Sequence, residues 1–326
     1  MRKLVSIQKV SGLFPIAGAD KIEMARVLGW ELVVKKEEFR VGDLCVYGEI
    51  DSIFPPENPA FAYLEGKRIK TIKLRGQISQ GIAFPISILP IGNYQEGDDF
   101  TEILGVTKYE PEPLDLSQII APFPEWIVKT DEDRIQTRPE LIEPSLTMEN
   151  EPYLATEKLD GCSATYYLNL RDTSHPFGVC SRGQEILTAD ETVYWRVAAE
   201  RNLSEALRTL AERHQASQVV LQGEIIGEGV QKNKYKLKGL ELYCFNLPLD
   251  GRKHISPVIN ELLDGPGIKT VPVADQNFVL PGHMQELVPL AQGRRLRNRQ
   301  TRREGIVVRS LHIRVSAKVL NPTFLP

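Results

Sequence analysis

The sequence predicts an α+β chain of two domains, a small β-barrel in front and a larger domain of sheets and flanking helices behind. Three observations carry that expectation. A chain of 326 residues exceeds one ordinary small domain. From Met1 to Thr107 it runs as short apolar segments broken by glycine and proline, with little helical periodicity. Beyond a stretch rich in proline and acid, apolar strands alternate with a clear amphipathic helix.

Composition narrows the class further. With 42% hydrophobic and 25% charged residues the chain has the makeup of an ordinary globular protein. It has no apolar run long enough to span a membrane, and Met1-Arg2-Lys3-Leu4-Val5-Ser6 lacks the apolar core of a signal peptide, so a cytoplasmic location is expected. Cys45, Cys162, Cys180 and Cys244 are widely spaced, which argues against zinc and structural disulfides and for small buried residues in a reducing compartment. A net charge of -3 gives no support to nucleic-acid binding from composition. Local charge does more, because residues 67–75 and 294–303 are both strongly basic, either as phosphate-contacting surfaces or as solvated faces.

In the first domain, strands are expected at Leu4–Val10, Ile22–Val27, Trp30–Val34, Leu44–Ile50, Arg68–Leu74 and Gly81–Pro85. Turn signals separate them at Gly18-Ala19-Asp20, Val41-Gly42-Asp43 and Arg75-Gly76-Gln77. This many short strands over residues 1–107 fits a partly open barrel of the oligonucleotide-binding (OB) kind. In the basic strand, Ile69, Ile72 and Leu74 are expected to pack inward while Arg68, Lys70, Lys73 and Arg75 reach outward. Such a strand either tracks a phosphate backbone or is an edge that lysines protect from aggregation.

Residues 108–124, with Glu110-Pro111-Glu112-Pro113, form a linker, and the second domain spans 125–326. Near its entry, Lys129 and Arg134 project toward a ligand or into surface salt bridges. Tyr153-Leu154-Ala155-Thr156-Glu157-Lys158-Leu159-Asp160-Gly161 follows, an apolar strand ending in a lysine, an aspartate and a glycine. A lysine amine can attack phosphorus if enough of it is unprotonated. Its reference pKa near 10.4 must then be lowered by cations or desolvation. Alternatively the segment is a strand followed by an Asp-Gly turn.

Phe177–Cys180 is a short strand leading to Arg182, and Ser204–His214 a helix whose apolar positions are core. Val219–Gly227 is an apolar strand interrupted by Glu224, a carboxylate that needs a partner such as a sugar hydroxyl, a hydrated metal ion or an arginine. Residues 231–238 are a basic loop, and Glu241–Leu247 alternates as a strand with Phe245 either in the core or presenting an aromatic surface. Glu304 stands before the strand Gly305–Arg309. In Ile313–Val319, Arg314, Ser316 and Lys318 share one face.

Taken in order, these segments resemble the collinear motifs of the covalent nucleotidyltransferases, the superfamily of polynucleotide ligases and messenger-RNA capping enzymes. Lys158-Leu159-Asp160-Gly161 resembles the nucleophile motif, Ser181-Arg182-Gly183 the ribose motif and Leu221-Gln222-Gly223-Glu224 the third motif. Tyr243-Cys244-Phe245-Asn246 resembles the base-stacking strand, Glu304–Arg309 the fourth motif and Ser316-Ala317-Lys318 the fifth. The small barrel lies before these motifs and none follows them. That order resembles the ATP-dependent RNA ligases with an N-terminal OB-like domain and no C-terminal one.

The resemblance implies a nucleotidyltransferase domain of antiparallel sheets, ATP and magnesium or manganese as cofactors, and a nicked duplex containing RNA as partner. The protein would act as a monomer and away from membranes. Lys158 would form lysyl-AMP, Lys318 would contact the α-phosphate, and cations would lower the Lys158 pKa. Asp160, Glu224 and Glu304 would surround the metal's water shell, Glu157 would read the adenine edge, Arg182 the ribose and Phe245 the base face, with Arg134 toward the nucleotide. Ser316 stands where many ligases have a second lysine, leaving Lys318 alone or helped by Arg314. A DNA ligase and a non-catalytic nucleic-acid-binding relative are the alternatives.

Overall fold

The computed structural model describes residues 3–109, 121–130, 132–142, 152–172, 174–186, 192–252, 258–263, 268–295, 301–310 and 316–324. Arg314 and the first half of its expected strand lie outside them. The front domain contains β1 (Val5–Pro15), β2 (Ile22–Val27), β3 (Trp30–Lys35), β4 (Leu44–Gly48), β5 (Ser52–Ile53), β6 (Ile72–Leu74), β7 (Gln77–Ser79), β8 (Ile82–Pro85) and β9 (Thr107–Lys108). Five of these form one antiparallel sheet in the order β3-β2-β1-β4-β8. β1 pairs with β4 through Val5–Lys9 and with β2 from Val10 on, and its register shifts between Val10 and Gly12. That irregularity bends one long strand around both halves of the barrel. Val5, Ile7, Phe54, Phe61 and Phe84 fill one core, and Val27, Trp30, Leu32 and Tyr47 a second.

The basic strand departs from expectation. Only Ile69 is buried, while Ile72 and Leu74 are exposed on β6, which pairs with β7 alone in a separate hairpin. Arg75 and Gly76, both with positive φ, 50° and 86°, make its two-residue turn. β7 lies against β3, where the Val33 N–H donates to Ser79 Oγ and the Gln77 amide to Glu31, and β6 is left on the outside with nothing among the described residues to pack on.

The second domain holds β10 (Ala121–Pro122), β11 (Asp133–Arg134), β12 (Tyr153–Lys158), β13 (Cys162–Asn169), β14 (Phe177–Cys180) and β15 (Gln184–Glu185), then α1 (Val193–Glu200) and α2 (Leu203–His214). It continues with β16 (Gln218–Gly227), β17 (Leu240–Asn246), α3 (Val258–Leu262), β18 (Lys269–Thr270), β19 (Val273–Phe278), α4 (Met284–Ala291), β20 (Gly305–Ser310) and β21 (Ser316–Leu320). A seven-stranded sheet runs β10-β15-β14-β13-β16-β17-β18 and a five-stranded one β11-β21-β20-β12-β19. All pairings are antiparallel except β11 with β21 and β17 with β18.

Each sheet has one apolar face. Ala164, Tyr166, Leu168, Val219, Leu221 and Ile225 of the larger sheet pack against Val197, Leu207 and Leu210 of α1 and α2. Tyr153, Ala155, Ile306, Val308, Ala317 and Val319 of the smaller pack against Met284 and Leu287 of α4. Helices α1, α3 and α4 were not expected; α1 is opened by Thr192, whose side chain accepts the Trp195 N–H. Cys45, Cys180 and Cys244 are buried as expected, and Cys162 half-buried. No helix among the described residues is long and apolar enough to cross a membrane. The two domains touch directly: the Gly29 N–H donates to the Gln136 carbonyl at 3.0 Å, and Arg134 Nη2 lies 2.9 Å from Asp51 Oδ2.

Candidate active site

Paired residues in a ladder point to the same face, and successive residues to opposite faces. In the smaller sheet Lys158 pairs with Gly305, Thr156 with Val307, Val307 with Lys318, and Lys318 with Arg134. Lys158, Lys318 and Arg134 therefore share the face opposite the α4 core, joined by Arg309, which pairs with Leu154 and Ser316. In the larger sheet Ser163 pairs with Glu224, Thr165 with Gln222, and Glu224 with Tyr243. These form the face opposite the α1 and α2 core, and Phe245 lies two residues beyond Tyr243. The two polar faces meet at Lys158.

Lys158 Nζ donates to Glu304 Oε2 at 2.6 Å. Glu224 reaches the same place from β16 and accepts the Gly161 N–H at 3.1 Å. Gly161 is required by space, because a Cβ there would collide with the Ile225 carbonyl oxygen and crowd Glu224. The tight approach is thus to strand β16. Asp160 Oδ2 lies 2.9 Å from Lys234 Nζ, and the Asp160 N–H donates to the Tyr235 hydroxyl. Lys234 in turn sits 4.3 Å from the Phe324 ring. The basic loop so brings two residues to the nucleophile segment that the sequence did not single out.

The electrostatics reverse one expectation. Burial alone would push the Lys158 ammonium down, but the carboxylates of Glu304, Glu224 and Asp160 outweigh it and the net direction is up. The expectation that neighbouring cations lower it is not met by the side chains themselves, because the groups nearest Nζ are acidic. Glu224 is pushed up to about 7, chiefly by burial and further by Glu304 and Asp160, against the opposing pull of Lys158 and the Gly161 N–H.

Glu157 is held by a cation of the chain itself. As the neighbour of Lys158 on a strand it faces the other way, 2% exposed, where Arg295 Nε donates to its Oε1 at 3.2 Å. Arg295 lies 3.3 Å above the Tyr235 ring centroid. Tyr235 accepts the Asp160 N–H, so the Glu157–Arg295 pair adjoins the nucleophile segment.

Arg182, Phe245 and Lys318 lie along the two polar faces. Arg182 lines a small concavity with Phe123, Lys129, Thr130, Ser163, Thr165 and Gln222. Phe245 is half-buried, with the Arg309 guanidinium 5.9 Å from its ring. Arg309 was given no role by the sequence; its Nη2 donates to Glu132 Oε1 at 3.0 Å and its Nη1 to the Phe245 carbonyl at 3.4 Å. Lys318 stands across β20 from Thr156, one strand away from the nucleophile. Among the described residues no three acidic, histidine or cysteine groups converge closely enough to ligate a metal ion directly.

Residues 151–320 match the RNA ligase family, and residues 4–86 match an OB-fold domain. No curated protein matches the chain significantly. Among solved structures, a mutant of Naegleria gruberi RNA ligase with AMP and manganese superposes with a TM-score of 0.81 at 35% identity, covering 98% of this chain and 97% of that one. Another mutant of that ligase, with ATP and manganese, gives 0.82 at 35% identity and the same coverage. The ligase with pyrophosphate gives 0.80 at 35% identity, again over 98% and 97%.

Proposed function

The chain belongs to the RNA ligase family, and from that premise we propose that it seals 3′-OH/5′-phosphate nicks carrying RNA on the 3′-OH side, through a lysyl-AMP intermediate. The observation that carries the proposal is the convergence of separate sequence segments on one cleft, with Lys158 Nζ held 2.6 Å from Glu304 and beside Glu224 and Asp160. We assign residues 1–107 to the OB-like domain, 108–124 to the linker, whose end already pairs as β10 with the second domain's sheet, and 125–326 to the adenylation domain, working as a monomer on ATP and a nicked duplex.

Lys158 Nζ, once neutral, attacks the α-phosphorus of ATP; the N–P bond forms as the bond to the pyrophosphate oxygen breaks, and pyrophosphate leaves with the electron pair. Glu304 Oε2 is the acceptor in place for the ammonium proton. An oxygen of the 5′-phosphate then attacks the same phosphorus and releases the lysine, and the 3′-OH finally attacks the adenylylated 5′-phosphate and releases AMP. Lys318 and Arg134 line the wall on which negative charge on the phosphoryl oxygens must be held. Phe245 offers a stacking surface for the adenine, and Arg182, with Ser163 and Thr165 beside it, polar groups for the ribose.

Asp160, Glu224 and Glu304, hard oxygen donors gathered around Lys158, would suit a divalent cation held through its waters, magnesium or manganese. Such an ion would offset the acidic field that now keeps Lys158 protonated.

Incubation with labelled ATP and magnesium tests the proposal. The wild type should acquire a covalent AMP that Lys158→Ala abolishes, and labelled nicks should be joined when the 3′-OH nucleotide is RNA and poorly when both strands are DNA. Absence of the adduct from the wild type refutes the lysyl-AMP mechanism. Equal sealing of both nicks makes the protein a ligase without RNA preference.

A further inference from the structure

Arg134 sits on the wall that carries Lys158 and Lys318, yet its side chain is held by the other domain. Its Nη2 donates to Asp51 Oδ2 at 2.9 Å, while the other carboxylate oxygen, Oδ1, accepts Arg68 Nε at 2.9 Å. Asp51 is itself fixed at the backbone. Its N–H donates to the Ile69 carbonyl and its carbonyl accepts the Tyr109 N–H, and it takes φ 77°, a left-handed conformation that side chains other than glycine seldom adopt. Arg68 also stacks on Tyr109, 4.2 Å from the ring centroid. The carboxylate is thus clamped among the barrel, the start of the chain leading out of it and the catalytic sheet.

The free end of Arg134 is the second observation. Its Nη1 is buried and has no hydrogen-bond partner among the described residues, whereas Nη2 is paired. A buried guanidinium nitrogen without an acceptor is costly unless an anion completes it. The parallel register of β11 with β21 sets Arg134 beside Lys318 on the face of Lys158, the wall along which a nucleotide phosphate would lie.

We infer that Asp51 of the barrel is a positioning residue for the adenylylation reaction: by holding one nitrogen of Arg134 it aims the other at a phosphate group of the bound nucleotide. The inference rests on the proposed function and assigns Asp51 no contact with ATP. Burial would raise the Asp51 carboxyl, but Arg134 and Arg68 outweigh that and hold it below the usual range, so it keeps its charge at neutral pH.

A double-mutant cycle on the full-length protein tests it, reading the rate of lysyl-AMP formation against ATP concentration together with the thermal midpoint. Arg134→Ala should slow adenylylation strongly. Asp51→Asn should slow it by about ten-fold, the scale of one charged hydrogen bond, chiefly as a higher KM for ATP. The double variant should be no slower than Arg134→Ala alone. Asp51→Glu, which keeps the charge, should recover part of the loss. Wild-type rates for Asp51→Asn, or losses that multiply in the double variant, overturn the inference. So does a loss that follows only a lowered thermal midpoint. A wild type that forms no lysyl-AMP instead defeats the functional proposal and shows up before any variant is made.

Discussion

The two walls of the cleft are built by the same rule and charged differently. Each is a sheet with an apolar face under helices and a polar face toward the other wall. The smaller sheet presents Lys158, Lys318, Arg134 and Arg309, whereas the larger presents Ser163, Thr165, Gln222, Phe245 and Glu224, with Glu185 and Glu241 on the same face already bonded to Tyr167 and to Tyr243 and Lys269. The cationic wall suits phosphates, and the neutral one with its aromatic suits a nucleoside. Three carboxylates surround Lys158 at the seam, where Glu224 comes from one wall and Glu304 and Asp160 flank the other. A divided cleft of this kind separates the work of gripping from the work of recognition, and substitutions on the two walls should fail in different ways.

The largest effect belongs to the cationic wall. Lys318→Ala should cut lysyl-AMP formation by roughly a hundred-fold or more at saturating ATP, the scale for removing one preorganised donor to a developing charge. Single-turnover labelling checks it. A change confined to KM would mean that Lys318 serves ground-state binding alone.

At the seam, Glu224 separates activity from stability. Its carboxyl is pushed up from 4.5 to about 7, so between those values the folded protein holds a proton that the unfolded chain has lost. The folded state then binds more protons, and stability falls as pH rises through that window. Glu224→Gln removes the penalty. It should unfold later than the wild type at about pH 8, by on the order of 2 to 3 kcal/mol, with the gap closing toward about pH 5, while losing adenylylation. Denaturation at the two pH values decides the sign.

The neutral wall should give a milder, binding-type loss. Phe245→Ala should raise the KM for ATP by about ten-fold, as expected for a lost stacking contact, and leave the maximal rate closer to wild type. Equal loss with ATP and GTP as donors would show that Phe245 packs the wall without selecting the base.

Much of this was legible in the sequence, because a chemically active residue at the end of an apolar strand is a local signal. Lys158, Asp160, Glu224, Phe245, Glu304 and Lys318 all stand at such ends or on alternating strands, and the cleft collects them. The side of the sheet was harder to read, although part of it was available. Glu157, the strand neighbour of Lys158, is sent by period two to the opposite side of the strand. Its partner Arg295 comes from 138 residues away, and no local pattern announces that pairing. Asp51 was hidden for the same reason, since its role depends on contact with Arg134 in the other domain. The β6–β7 hairpin was misjudged because alternation marks which residues share a face but not whether that face has anything to pack on. Ile72 and Leu74 alternate correctly and remain exposed.

The smallest expected effect concerns the residue that joins the walls. Arg309 rises from β20, yet Nη1 bonds the Phe245 carbonyl of β17, while Nε and Nη2 both grip Glu132. It therefore fixes the distance between a phosphate wall and a nucleoside wall. Arg309→Met keeps the apolar stem and removes the bonds, and the charge left on half-buried Glu132 can turn to water, so the stability cost should be only about 1 kcal/mol. The catalytic consequence should exceed that cost only if wall spacing matters: reaction from ATP should slow several-fold, with little change in binding of free adenosine, which needs one wall alone. Equal losses for ATP and adenosine would place the function of Arg309 in the Phe245 subsite and leave the walls independent.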